Sequence, residues 1–120
     1  MKHEIFLLSL HEIQKRFERP RYVKQLKQQL AKDLFVLEQD QNTFQNCEDF
    51  PGIYRSLSRL IKKHIVSGAS GLMNFLYRVD VNEDLIKEAL SAHNKNADEL
   101  LAELIIKREL EKILLREKFS

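Results

Sequence analysis

The stretch Asn96 to Lys118, NADELLAELIIKRELEKILLREK, decides how this chain folds. It contains no Gly or Pro, so nothing in it breaks a helix of about six turns. Wound at about 100° per residue, its apolar positions fall on two faces rather than one stripe. Ala97, Leu100, Leu101, Leu104 and Ile105 share a face in the first half. Ile106, Leu110, Ile113 and Leu114 share a nearly opposite face in the second. A helix that is apolar on two sides needs cover on two sides. The first-half face is expected to close the molecule's own core through Leu101 and Leu104. The second-half face, Ile106, Leu110, Ile113 and Leu114, is the candidate partner interface. The alternative is that the whole helix is a hub, covered all round by its own bundle.

Working outward, the chain of 120 residues fits one domain, 1–120, with 43% hydrophobic and 32% charged residues. Three Gly and two Pro are too few for the frequent turns of a sandwich or barrel. Upstream, Phe6, Leu10, Ile13 and Phe17 make a helical seam over about His3 to Phe17. Pro20 then suits the first turn of a second helix striped by Tyr22, Val23, Leu26, Leu30, Leu34 and Leu37, with Phe35 and Val36 adding apolar surface. Asp40 to Asp49 is polar and aperiodic, the main loop, from which Phe44 can tuck back onto the core.

Asp49 and Pro51 open a third helix with the clearest two-sidedness in the chain. Ile53, Tyr54, Leu57, Leu60, Ile61, His64 and Ile65 lie on one side of it, and Arg55, Ser58, Arg59 and Lys62 on the other. Gly68 and Ser70 mark the next junction, before a short helix with Leu72, Met73, Phe75, Leu76 and Val79. Asp80 and Glu83 have capping-box spacing, with Asn82 as an alternative cap, ahead of a helix carrying Leu85, Ile86, Ala89 and Leu90. Asn96 can cap the final helix. The expected fold is all-α, a compact bundle of five to six helices without a β-sheet.

The net charge of +2 conceals blocks. Residues 15–32 carry seven Lys/Arg against one Glu, and residues 33–50 carry five acids and no Lys/Arg. Residues 51–79 carry five bases and no acid, and residues 80–120 carry seven bases against ten acids. Such blocks either pair within the bundle or build one basic surface. The candidate basic surface is Arg55, Arg59, Lys62 and Lys63, joined by Arg19 and Arg21 from the earlier block.

Chemistry finds little support. Four scattered histidines form no His-Glu-x-x-His or Glu-x-x-His, so no metal site is expected. His64 alone sits in an apolar stripe and reads as a core or boundary histidine. Cys47, the single cysteine, has no basic neighbour in sequence to activate it and no partner for a disulfide. Gly68-Ala69-Ser70-Gly71 misses the spacing of a nucleophile elbow, and no phosphate or dinucleotide fingerprint occurs, so no cofactor is expected. The short apolar run Ile5 to Leu8 lacks a cleavage site, and no stretch is long enough to span a bilayer, which makes the cytoplasm the expected location and excludes a membrane partner.

Gly68-x-x-Gly71, after Lys62-Lys63 and before Leu72-Met73-x-Phe75-Leu76, resembles the backbone-clamping loop and second helix of a KH domain. The resemblance covers about fifteen residues, and the chain departs from it outside them, where a KH domain needs three strands. A helix-turn-helix over residues 70–79 and from Glu83 onward would present Glu83, Asp84 and Glu88 to phosphates, which argues against it. The leading expectation is a non-enzymatic helical protein that works through protein contacts, including self-association. The alternative is a nucleic-acid-associated regulator using basic segments 15–27 and 55–63.

Overall fold

The computed structural model describes residues 8–34, 43–67, 71–91 and 96–119. They form six helices: α1 (Leu10–Arg16), α2 (Pro20–Leu34), α3 (Phe50–Ser67), α4 (Gly71–Val79), α5 (Glu83–Ser91) and α6 (Ala97–Phe119). No strand occurs among the described residues, and the fold is an all-α bundle. None of these helices is long and apolar enough to cross a membrane.

Helices α1, α3 and α5 start where a side chain satisfies the first N–H groups. Ser9 caps α1 in a capping box: its hydroxyl accepts from the Glu12 N–H, and the Glu12 carboxylate accepts from the Ser9 N–H. The first described helix therefore begins at Leu10, and the expected start near His3 falls outside the described residues. Phe6 and residues 1–7 lie outside the described residues. Pro20 is the first residue of α2, where its missing N–H costs nothing. The Asp49 carboxylate accepts from the Gly52 N–H at 2.8 Å and opens α3 as expected.

The Asp80–Glu83 capping box does not form. Asn82 is the cap of α5, its side-chain oxygen accepting from the N–H groups of Asp84 and Leu85. Asp80 instead ends α4 with a φ of 70°. Its N–H donates to Tyr77 O and that of Val81 to Leu76 O, the paired bonds that normally place glycine at this position. Gly68 and Ser70, the expected caps upstream, lie outside the described residues, as do Phe35, Val36 and Leu37.

The core is organised around α6, which packs against α2, α3, α4 and α5. At 1.5 Å per residue it is about 34 Å long, close to the 37 Å longest dimension of the described structure. Between Leu101 and Ile113 it is largely enclosed, with only Glu103, Leu104, Arg108 and Lys112 partly exposed. Leu101, Ala102, Ile105, Ile106, Leu110 and Ile113 are each at most 1% exposed, and Glu109 is fully buried. This corrects the expected partner interface. Ile106, Leu110 and Ile113 lie in the chain's own core and Leu114 packs partly against it, so the hub arrangement holds. The physical reason is that four helices surround α6, leaving no solvent sector for its second face.

The remaining core follows the sequence stripes. Leu26, Leu30 and Leu34 of α2, Ile53, Leu57 and Ile61 of α3, and Phe75, Leu76 and Val79 of α4 are buried. Phe44 tucks back from the loop and is buried too. Lys27 fixes that loop by donating to the carbonyls of Gln45 and Cys47 at 3.0 and 2.8 Å.

Candidate functional site

Three arrangements could carry function: a charged cluster inside the bundle, a groove between α5 and α6, and the outer face of α3. The cluster lies where α2, α4 and α6 meet. Asp33 sits on the apolar stripe of α2 and is buried. Lys112 Nζ lies 3.1 Å from Asp33 Oδ2 and 3.1 Å from Glu109 Oε1, and Arg78 Nε lies 3.5 Å from Asp33 Oδ1. Gln29 donates to Asp33 from one turn back at 3.2 Å.

Two carboxyls beside one ammonium divide the charge unequally. Burial, then the hydrogen bond and negative charge of Asp33, push the Glu109 carboxyl up to about 9, against the pull of Lys112. Burial also works to raise Asp33. Its bonds to Glu109, Lys112 and Gln29 outweigh that and hold it below the ordinary aspartate value. At neutral pH Glu109 thus keeps its proton beside an ionised Asp33. A raised carboxyl can act as a general acid, but only where substrate reaches it. Glu109 has no exposed surface, and neither the groove between α2 and α6 nor that between α5 and α6 is lined by Asp33, Glu109 or Lys112. The cluster ties three helices together.

A second tie is Arg108, which donates through Nε to the Asp80 carbonyl at 3.1 Å and through Nη2 to its carboxylate at 3.0 Å. Its Nη1 binds Glu111 at 2.6 Å. The guanidinium thus clamps the one described non-glycine residue with positive φ.

The groove between α5 and α6 holds about 230 Å³ and is lined by Leu85, Ala89, Leu100 and Leu104, with Glu88 and Glu103 at its rim. Leu100 and Leu104 belong to the face expected to close the core, yet both keep partial exposure. Open apolar surface on α6 therefore lies in its first half at Leu100 and Leu104 as well as near its end at Leu114 and Leu115. Burial signs of this kind depend on where α5 lies, which periodicity in α6 does not encode.

On the outer face of α3, Arg55, Arg59, Lys62 and Lys63 are all exposed, and none makes an ion pair among the described residues. The two earlier-block members of the candidate basic surface sit elsewhere. Arg19 is exposed in the turn before α2. Arg21 stacks over Tyr22 at 4.7 Å and faces Glu117 of α6 at 3.8 Å. The stripe is carried by α3 alone.

His64 is half-buried on the core-side flank of α3. Cys47 Sγ lies 3.4 Å from Ser56 Oγ. Among the described residues, no group of three or more His, Cys, Asp or Glu side chains is placed to hold a metal ion. Comparison with family models, with curated proteins and with solved structures finds no match to this chain.

Proposed function

We propose that this is a non-enzymatic protein that works through protein contacts, and that the contact surface is the groove between α5 and α6. The observation that carries the reading is the half-open strip Leu85, Leu100 and Leu104, which lies beside a core where the other large apolar side chains of α6 from Leu101 to Ile113 are covered. Partly exposed leucines in a concave strip gain most from a complementary apolar face. Of the two acids lining the groove, Glu103 already pairs with Lys107 at 3.3 Å, which lowers the negative charge that a second copy would meet.

A second copy is the first partner to test, since a two-fold axis would lay the strip against itself. The strip is smaller than the ~1,200 Å² buried in stable complexes, so the contact belongs to the weak, reversible class. Sedimentation velocity over about a hundredfold range of concentration should show mass rising with concentration for the natural protein. Leu104→Glu should remain monomeric and helical throughout. Concentration-independent monomer for the natural protein removes self-association, and assembly unaltered by Leu104→Glu removes this surface.

A further inference from the structure

We infer that the outer face of α3 is a docking surface for the phosphate backbone of nucleic acid. Arg55, Arg59, Lys62 and Lys63 recur at i, i+4, i+7 and i+8, within a sector of about 100°. Opposite them Ile53, Leu57 and Ile61 are fully buried, so the cations ride on a helix fixed to the core. From Arg55 to Lys63 the stripe covers about 12 Å of helix axis. One strand of a duplex places a phosphate every 3.4 Å of its axis, so the stripe matches three to four phosphates.

Charge isolation strengthens the case. No acid occurs anywhere in α3. Burial, then Glu99, Glu103 and Asp98, raise the Tyr54 phenol above its ordinary value, and the Asp49 carboxylate is engaged as the cap at the helix start. By contrast Arg78, Lys107, Arg108 and Lys112 each meet a carboxylate within 3.5 Å. Four cations held together with no ion pair among the described residues repel one another, and a polyanion relieves that repulsion.

The chemistry of the stripe selects among polyanions. A membrane-surface helix lays a broad apolar face into the lipid, but the apolar face of α3 is already in the core. Of the exposed large apolar side chains, only Val66 continues the stripe. A protein partner draws its affinity from buried aromatic or large aliphatic anchors, and the stripe offers only the single Val66 at its end. A surface of pure positive charge gains instead by releasing counterions from a uniformly charged backbone. Without an aromatic platform it reads no bases, so the docking is independent of sequence.

The test is fluorescence anisotropy with a labelled mixed-sequence duplex and a single strand of equal length, at salt from about 25 to 200 mM. The expected result is duplex binding that weakens with salt at a log–log slope near −3.6 for four phosphates. Arg59→Glu with Lys62→Glu should weaken binding at least tenfold and flatten the slope by about 1.8, two contacts having gone. Lys87→Glu with Arg116→Glu, the same change in net charge placed on α5 and α6, should change affinity less than about twofold. Circular dichroism confirms that each variant is folded. Single-strand binding with a shallower slope also supports the inference, since phosphate is the shared group. Three outcomes overturn it: no duplex or single-strand binding at the lowest salt, equal loss in both double variants, or capture by anionic phosphatidylserine vesicles without capture by nucleic acid.

Discussion

The two longest described helices, α3 and α6, pack on each other and were written under different constraints. α3 keeps one face in the core and one in water, and its sequence separates Ile53, Leu57 and Ile61 cleanly from Arg55, Arg59 and Lys62. α6 keeps only a narrow, partly exposed strip of Leu104, Arg108 and Lys112 over its middle turns, so apolar residues occur at most other angles and charged ones such as Glu109 are enclosed with them. Periodicity reports the boundary between core and solvent. Where a helix has no such boundary, periodicity goes silent, and two faces look like two destinations.

Substitutions should make the contrast visible, most severely in α6. Ile106→Glu or Leu110→Glu places an unpaired charge where nothing can solvate it, and either should unfold the protein, read as loss of far-UV helicity. The milder Leu110→Ala should cost about 2–5 kcal/mol in chemical denaturation. A soluble, helical Leu110→Glu variant would restore the interface reading that burial removed.

Next comes the enclosed charge. Asp33→Ala takes a partner from Lys112 and from the half-exposed Arg78 and should cost about 1–3 kcal/mol. Glu109→Gln keeps the shape of a neutral carboxyl and should change stability little near pH 5. The pH dependence separates the two groups. Glu109 is raised from 4.5 to about 9 in the fold, so its contribution is complete below pH 4.5 and is lost as pH climbs toward 9. The loss is at most about 1.4 kcal/mol per pH unit, and Glu109→Gln should flatten it. Asp33 is lowered from 3.8, so its contribution is present above that pH and is lost on acidification through its folded value. Urea midpoints measured from pH 3 to 10 on both variants would check the assignment. An unchanged slope in Glu109→Gln would sink it.

Smaller effects should come from the helix ends. Ser9→Ala removes a cap from α1 and should cost about 0.5–2 kcal/mol. Asp80→Val puts a β-branched residue at positive φ and discards the Arg108 clamp, and should cost about 1–3 kcal/mol. Asp80→Gly, which loses the clamp but relaxes the backbone, should be nearly neutral in thermal melts. Arg55→Ala and Arg59→Ala, on the solvent face of α3, should stay within about 0.5 kcal/mol.

Much of the fold is legible in the sequence because local rules and global packing agree. Pro20 at the start of α2, Asp49 as cap, the stripes of α2 and α3, and Phe44 folding back all follow from patterns of a few residues. Ser9-x-x-Glu12 was equally readable, a capping box set just before the apolar-periodic run, and it outweighs the seam that runs through Phe6 and Leu10. The Asp33 cluster left one clue, an acid on the Leu26–Leu30–Leu34 stripe. Its partners could not be read, because Glu109 and Lys112 meet Asp33 only once α6 is placed. The α5–α6 groove has no local signal at all, since exposure of Leu100 and Leu104 depends on how far α5 reaches. The α3 stripe was visible from the start, whereas the isolation of its charges required the packed structure.

The central position of α6 also sets an order of events in synthesis. It is the last of the described helices in the chain, and α2, α3, α4 and α5 all pack on it. At about 5–20 residues per second, the ribosome delivers α1 roughly 4–17 seconds before α6 begins. Through that interval the leucines of α2 and the isoleucines of α3 lack the post they will close on. Folding must then start late and finish almost at once, with early helices exposed to chaperones and proteases in the meantime. A hub delivered last makes the nascent chain fragile and the completed one cooperative.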